Sequence, residues 1–177
     1  SIKELYRIGT GPSSSHTMAP RRAAEIFQHR NPECTYFRVT LYGSLAATGK
    51  GHLTDKAIFD VLRPHGNVEL VWEPSIFKPF HPNGMRFEAL DDAKNVLSDW
   101  TVYSVGGGAL AEENSTPVET ADIYPDTKLV DILKWCMDNG RTFWEYVELH
   151  EGKDIWIFLA KVWRTMRDAV ERGIETD

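Results

Sequence analysis

Residues Gly9 to Glu25 read GTGPSSSHTMAPRRAAE, with three serines, a histidine and a threonine between a glycine-rich turn and a helical stretch. Hydroxyls beside an imidazole can grip a small polar molecule and move its protons. Pro20 fixes where they sit. Proline is accommodated only in the first turn of a helix, where backbone N–H groups have no intrahelical partner, so the helix must begin close to His16 or Thr17. Its unpaired amides and positive dipole end then lie at Ser13, Ser14, Ser15 and His16, which suits a carboxylate or a phosphate. The same residues admit a plainer account, an over-supplied N-cap in which any one hydroxyl would serve.

A second polar loop, GSLAATGKGHLTD, begins at Gly43. It has the outline of a phosphate-binding loop but fails as one, because five residues separate its glycines instead of four and Gly51 stands where the magnesium-binding hydroxyl belongs. What remains is a glycine loop carrying Lys50 and His52 just before a helix. His52 is a surface or packing residue on one reading and a site residue on the other. A third loop, HPNGM, is a turn by composition, and SVGGGALAEE places three glycines at the end of a strand, where a close approach of ligand or chain is expected. His16, His52 and His81 could gather as zinc ligands, although no fixed spacing supports that, and no metal ligand is assigned in this chain.

The elements that must carry these loops follow from periodicity. A short helix over about Ile2 to Arg7 is expected, then one over about Met18 to His29 with Ala23, Ala24, Ile26 and Phe27 facing the core. Strands are predicted over Thr35–Tyr42, Val68–Trp72, Met85–Leu90 and Asn95–Val105, the last two forming a hairpin around Asp91 and Asp92. Thr54 and Asp55 are expected to cap a helix through Leu62 that Pro64 stops. Leu129–Asn139, Phe143–His150 and Asp154–Arg172 read as helices closed by Gly140, Gly152 and Gly173. The last carries an apolar stripe of helical period from Ile155 to Val170, which must cover something; alone, such a face favours self-association. Strands punctuated by helices, without strict βαβ alternation, predict an α+β fold with a mixed β-sheet and flanking helices.

With 177 residues, 42% hydrophobic and 26% charged, the chain has the balance of a globular domain with one sizeable core. The net charge of -6, with no basic run longer than Arg21–Arg22, argues against nucleic-acid binding. Cys34 and Cys136 are far apart and outside any CxxC, so two reduced, buried thiols are expected. No signal-peptide core and no run of about 18 apolar residues is visible, so no membrane partner is expected. The expected location is the cytoplasm, unless a leader has been removed.

Taken in order, IGTGPSSSHTMAPRRAAE, LYGSLAATGKGHLTDKA, HPNGMRFEA and YSVGGG resemble the β domain of the iron-sulfur L-serine dehydratases, from Ile2 to about Glu113. The tail WIFLAKVWRTMRDAVERGI is similar to the connection into that family's catalytic α domain. One departure is Ala19, where the family usually has glycine. The resemblance implies pyridoxal-free deamination of L-serine to pyruvate and ammonia, in which a [4Fe-4S] cluster polarises the serine hydroxyl and a base removes the α proton. It places the cluster cysteines in the α domain, so that this chain alone is inactive. It divides the chain into a β domain, 1–150, and a helical connection, 151–177, and implies a fold similar to the serine-binding regulatory domain of phosphoglycerate dehydrogenases. Ser13, Ser14, Ser15, His16, Thr17 and Lys50 would then bind substrate, with His52 and His16 as the catalytic candidates. The implied partners are L-serine, the α domain and a second copy of the chain. On the alternative reading, the same loops form a serine-sensing module without catalytic residues.

Overall fold

The computed structural model describes residues 1–113 and 122–176. They belong to two compact units, one of residues 9–113 and one of residues 1–8 with 122–176.

The first unit is built on a five-stranded mixed sheet in the order β2-β1-β3-β4-β5. β1 (Tyr36–Tyr42) runs parallel to β2 (Asn67–Glu73) and antiparallel to β3 (Gly84–Leu90), with Val39 opposite both Leu70 and Phe87. β4 (Val96–Gly106) and β5 (Ala109–Ala111) extend the antiparallel side. A parallel pair needs a crossover, and α3 (Gly43–Thr48), a 3₁₀ turn (Gly49–His52) and α4 (Thr54–Leu62) supply it between β1 and β2. α2 (Ala19–Arg30) packs beside α4.

Strand alternation sorts the sheet into two faces. Phe37, Val39, Leu41, Met85, Phe87, Ala89 and Val102 are buried in one core cluster with Ala23, Ala24 and Phe27 of α2 and Ile58 and Leu62 of α4. The intervening residues carry charge instead: Arg38 pairs with Glu69 and Glu88, and Arg86 with Glu88 and Asp99.

The strands and the α2 and α4 helices fall where the hydrophobic pattern predicts, and four local expectations are corrected. Gly43 to Thr48 is a helix rather than a loop, because fully buried Leu45 anchors it to the core. Thr54 does not cap α4; Leu53 holds that position in a left-handed conformation, and the Thr54 hydroxyl is used elsewhere. Gly106, Gly107 and Gly108 all have positive φ and make the turn between β4 and the unforeseen β5, a backbone requirement that explains them without a ligand. Gly173 lies inside a helix rather than ending it.

The second unit is helical: α1 (Ile2–Leu5), α5 (Leu129–Asn139), α6 (Phe143–Glu151) and α7 (Ile155–Glu175). Position 150, where the sequence reading divides the chain, lies within the last turn of α6. Buried Tyr146 is ringed by Tyr124, Trp135 and His150. Glu151 accepts from the Ser1 hydroxyl and the Ile2 amide, which ties the first residues into this unit. α7 leaves Trp163, Met166, Val170 and Ile174 more than half exposed. No helix among the described residues is long and apolar enough to cross a membrane.

Phe87, fully buried among both helices and strands, tests this core. Phe87→Ala is expected to lower unfolding free energy by about 3–5 kcal/mol, through lost transfer energy and the cavity left behind. Leu97→Ala, at a position 67% exposed, should stay within about 0.5 kcal/mol. Urea denaturation of both variants checks the pair.

Candidate functional site

The serine row folds as one π-helical turn, Ser14–Met18, that runs directly into α2. Ser13 is its N-cap, with Oγ accepting from the His16 amide at 3.1 Å. One hydroxyl is therefore spent on capping, as the plainer account requires. The next is spent on the imidazole: Ser15 Oγ lies 2.8 Å from His16 Nδ1. Ser14 is exposed.

The other ring nitrogen of His16 meets Ser44 Oγ at 3.3 Å. Ser44 reaches it because β1 ends abruptly at Gly43, whose φ of +50° turns the chain straight into α3. A Cβ at Gly43 would stand 2.5 Å from the Pro82 carbonyl oxygen, so the turn needs glycine on two counts. That carbonyl also accepts from the Ser44 amide at 3.3 Å, which brings the HPNG loop to the same end of the sheet. Here Asn83 donates its amide to His81 Nδ1 at 3.1 Å, and its carbonyl accepts from the Ser104 amide at 3.0 Å. Asn83 Oδ1 and Ser104 Oγ are buried without a protein partner, the kind of polar group that a ligand or water satisfies.

His52 closes the 3₁₀ turn. Its ring centroid lies 4.9 Å from that of His16, with the planes tilted by 38°. Nδ1 is 3.0 Å from the Thr48 carbonyl oxygen. A carbonyl can only accept, so Nδ1 carries the proton, and whenever the ring is neutral its lone pair is on Nε2. Two threonines join the loops: Thr17 Oγ1 donates to the His52 carbonyl at 2.7 Å, and Thr54 Oγ1 to the His16 carbonyl at 2.5 Å.

Of the residues that the sequence singles out, Ser13, Ser15, His16, Thr17 and His52 therefore come together. The Thr17 hydroxyl is already engaged on both sides, since it also accepts from the Ser13 amide at 3.2 Å. Lys50 is exposed, with Nζ 5.5 Å above the Trp72 ring. Sequence reasoning missed Ser44, Asn83, Ser104 and Thr54; a Gly-Ser pair at the end of a strand was the available signal for Ser44.

Burial, and then the neighbouring His52 charge, lower the His16 pKa from its ordinary value of 6.5, while Ser44 pulls it partly back. The imidazole pair thus disfavours a proton on His16. Among the described residues, no three His, Cys, Asp or Glu side chains converge as a metal site. Two thiols are too few for the four thiolates that commonly hold an iron-sulfur cluster. Cys34, expected to be buried, is only partly so and donates Sγ–H to the Tyr36 carbonyl, whereas Cys136 is buried in α5.

This geometry sits on segments that match known proteins. The family model for the serine dehydratase beta chain matches residues 1–67 and 60–115. The chain belongs to that family. It is 33% identical over 228 aligned positions to L-serine dehydratase 2 of Escherichia coli, and 31% identical over 226 to an L-serine dehydratase of Haemophilus influenzae. Each alignment covers 100% of this chain and 50% of the relative. A Streptomyces coelicolor L-serine dehydratase is 31% identical over 232 positions, covering 98% of this chain and 50% of its own length. The chain spans about half the length of these relatives. The alignments run longer than the 177 residues of the chain, so the relatives carry residues within this span that it lacks.

The His16 environment has a measurable sign. With a folded pKa below 6.5, the unfolded chain takes up the proton first, so the stability contributed by neutral His16 is present above pH 6.5 and is lost as pH falls toward the folded value. In an NMR titration, the His16 ring protons are expected to show a midpoint below 6.5, and His52→Ala should raise it by removing the neighbouring charge. An unchanged midpoint in the variant would separate the two rings electrostatically.

Proposed function

We propose that this chain is the β-domain portion of an L-serine dehydratase, and that its serine and histidine loops bind L-serine and handle its α proton. The observation that carries the reading is the His52 tautomer. With Nδ1–H donated to the Thr48 carbonyl, Nε2 is left as a base beside His16 and the serine row. A general base needs a ring nitrogen with its lone pair in reach of the substrate proton.

In this reading the start of the Ser14–Met18 turn, with its amides and the Ser13 and Ser15 hydroxyls, holds the substrate carboxylate, and exposed Lys50 adds charge at the rim. His52 Nε2 accepts the α proton. The serine hydroxyl takes up that proton as its C–O bond breaks and leaves as water, and the resulting enamine rearranges to an imine that water hydrolyses to pyruvate and ammonia. His16, held between Ser15 and Ser44, is the second candidate for proton transfer. Thiols for the [4Fe-4S] cluster that the resemblance implies would come from the other half of such a protein. This chain's share is binding and proton transfer. The exposed face of α7 is assigned to that other half, with homodimers and a cytoplasmic location as the accompanying expectations.

The same loops could instead hold serine as a regulator, in keeping with the implied likeness to the regulatory domain of phosphoglycerate dehydrogenases. His52→Ala and His52→Gln in the full-length enzyme decide between them. Catalysis predicts a loss of turnover of about 10²–10⁴-fold, the usual contribution of a general base, in a protein that still folds. Unchanged maximal turnover with altered activation by serine would give the loops to regulation. Ser14→Ala with Ser15→Ala is expected to change stability by no more than about 1 kcal/mol, the scale of a cap. Full-length turnover should suffer far more; equal damage to folding and turnover would make the serines structural.

A further inference from the structure

His16 and His52 lie 36 positions apart in the chain, one in the turn that leads into α2 and the other in the 3₁₀ turn before α4. The backbone carbonyl of each receives a hydroxyl from the other's loop. Thr17, next to His16, donates to the His52 carbonyl, and Thr54, two residues beyond His52, donates to the His16 carbonyl. We propose that Thr17 and Thr54 form a reciprocal clasp that sets the His16–His52 imidazole pair, making both threonines positioning residues for the site. The inference rests on the reading of His52 as a base, but the clasp can be observed without turnover.

Three observations support it. First, both side chains are buried, Thr17 at 3% and Thr54 at 0% exposure, where valine would fill the same space. The hydroxyl, rather than the volume, is what threonine adds. Second, the hydroxyl hydrogens have only one place to go. The Thr17 oxygen accepts from the Ser13 amide, so its proton is left for the His52 carbonyl, and a carbonyl offers no proton in return. Third, the surrounding backbone gives way to the clasp. Leu53 adopts a φ of 57°, in the left-handed region that a branched side chain rarely occupies, and so turns the chain between His52 and Thr54. A Cβ at Gly49 would stand 3.0 Å from Thr54 Oγ1 and 2.9 Å from the Trp72 ring, so only glycine lets Thr54 sit where it does.

Why this should orient a ring is elementary. A peptide carbonyl is one bond from its own Cα, so fixing the oxygen restricts rotation about that bond and with it the direction of Cα–Cβ. With both carbonyls fixed by the opposite loop, the two Cα–Cβ bonds keep their separation, while rotation of the rings themselves is held by Ser15 and Ser44 at His16 and by the Thr48 carbonyl at His52. The threonines touch no ring nitrogen, which leaves Nε2 of His52 available.

The test uses the 177-residue chain with Thr17→Val, Thr54→Val, Thr17→Ser and Thr54→Ser, observed by NMR. In the unsubstituted chain the two rings should share a nuclear Overhauser cross-peak between their carbon-bound protons. Each valine variant is expected to lose it while the amide signals of β1 and β3 stay in place, and each serine variant, which keeps the hydroxyl, is expected to retain it. Survival of the cross-peak in the valine variants overturns the clasp, as does its loss in the serine variants. A valine variant whose β1 and β3 signals collapse as well assigns the hydroxyl to folding and equally overturns a positioning role. In the full-length enzyme, Thr17→Val should lower kcat by about 10–100-fold with a smaller change in KM, the scale of a displaced catalytic group. Loss of the cross-peak with unchanged turnover would leave the clasp standing and remove His52 from the chemistry.

Discussion

β1 is bonded on both edges, parallel to β2 and antiparallel to β3, and its inward side chains Phe37, Val39 and Leu41 are fully buried. Such a strand cannot slide, because a shift of one residue would turn those three side chains to the charged face where Arg38 pairs with Glu69 and Glu88. Its end is therefore a fixed point. Gly43 turns there, Ser44 meets His16, and the Pro82 carbonyl closes on the Ser44 amide. The loops look free in the sequence but hang from a rigid support, which is the usual arrangement for residues that do chemistry.

Hydroxyls in this site have different tasks. Ser13 caps, Ser15 and Ser44 hold the two nitrogens of one imidazole, and Thr17 and Thr54 bind backbone carbonyls of the opposite loop. A row of similar residues thus contains both the groups that could face a substrate and the groups that fix their geometry. His52 is the less enclosed of the two ring sites in its bonding: one nitrogen is tied to Thr48 and the other is left with its lone pair. The loops that carry the two rings lie within the residues that match the serine dehydratase beta chain family.

Much of the fold was legible because hydrophobic period reports burial. Phe37, Val39 and Leu41 alternate, and Ala23, Ala24 and Phe27 recur at helical spacing, so β1 and α2 could be read directly. α3 was hidden because Gly43 and Gly49 punctuate it at both ends and mimic a loop; the buried Leu45 that makes it a helix depends on tertiary contact. The site divides in the same way. Pro20 placed the serine row at a helix start, and the histidines stood out by type. The partners of Thr17 and Thr54 lie 35 and 38 residues away, and Thr54 looked like a helix cap because nothing local shows what its hydroxyl meets. Contacts at that separation leave no periodic trace.

The helical unit is discontinuous in the chain, since residues 1–8 belong with 122–176. During synthesis the first residues emerge early, but the carboxylate of Glu151 that receives the Ser1 hydroxyl and the Ile2 amide is made only after the whole of the sheet and its histidine loops has left the ribosome. The two units thus become complete at different times, the sheet first. Residues 1–8 must wait through that interval without their Glu151 partner.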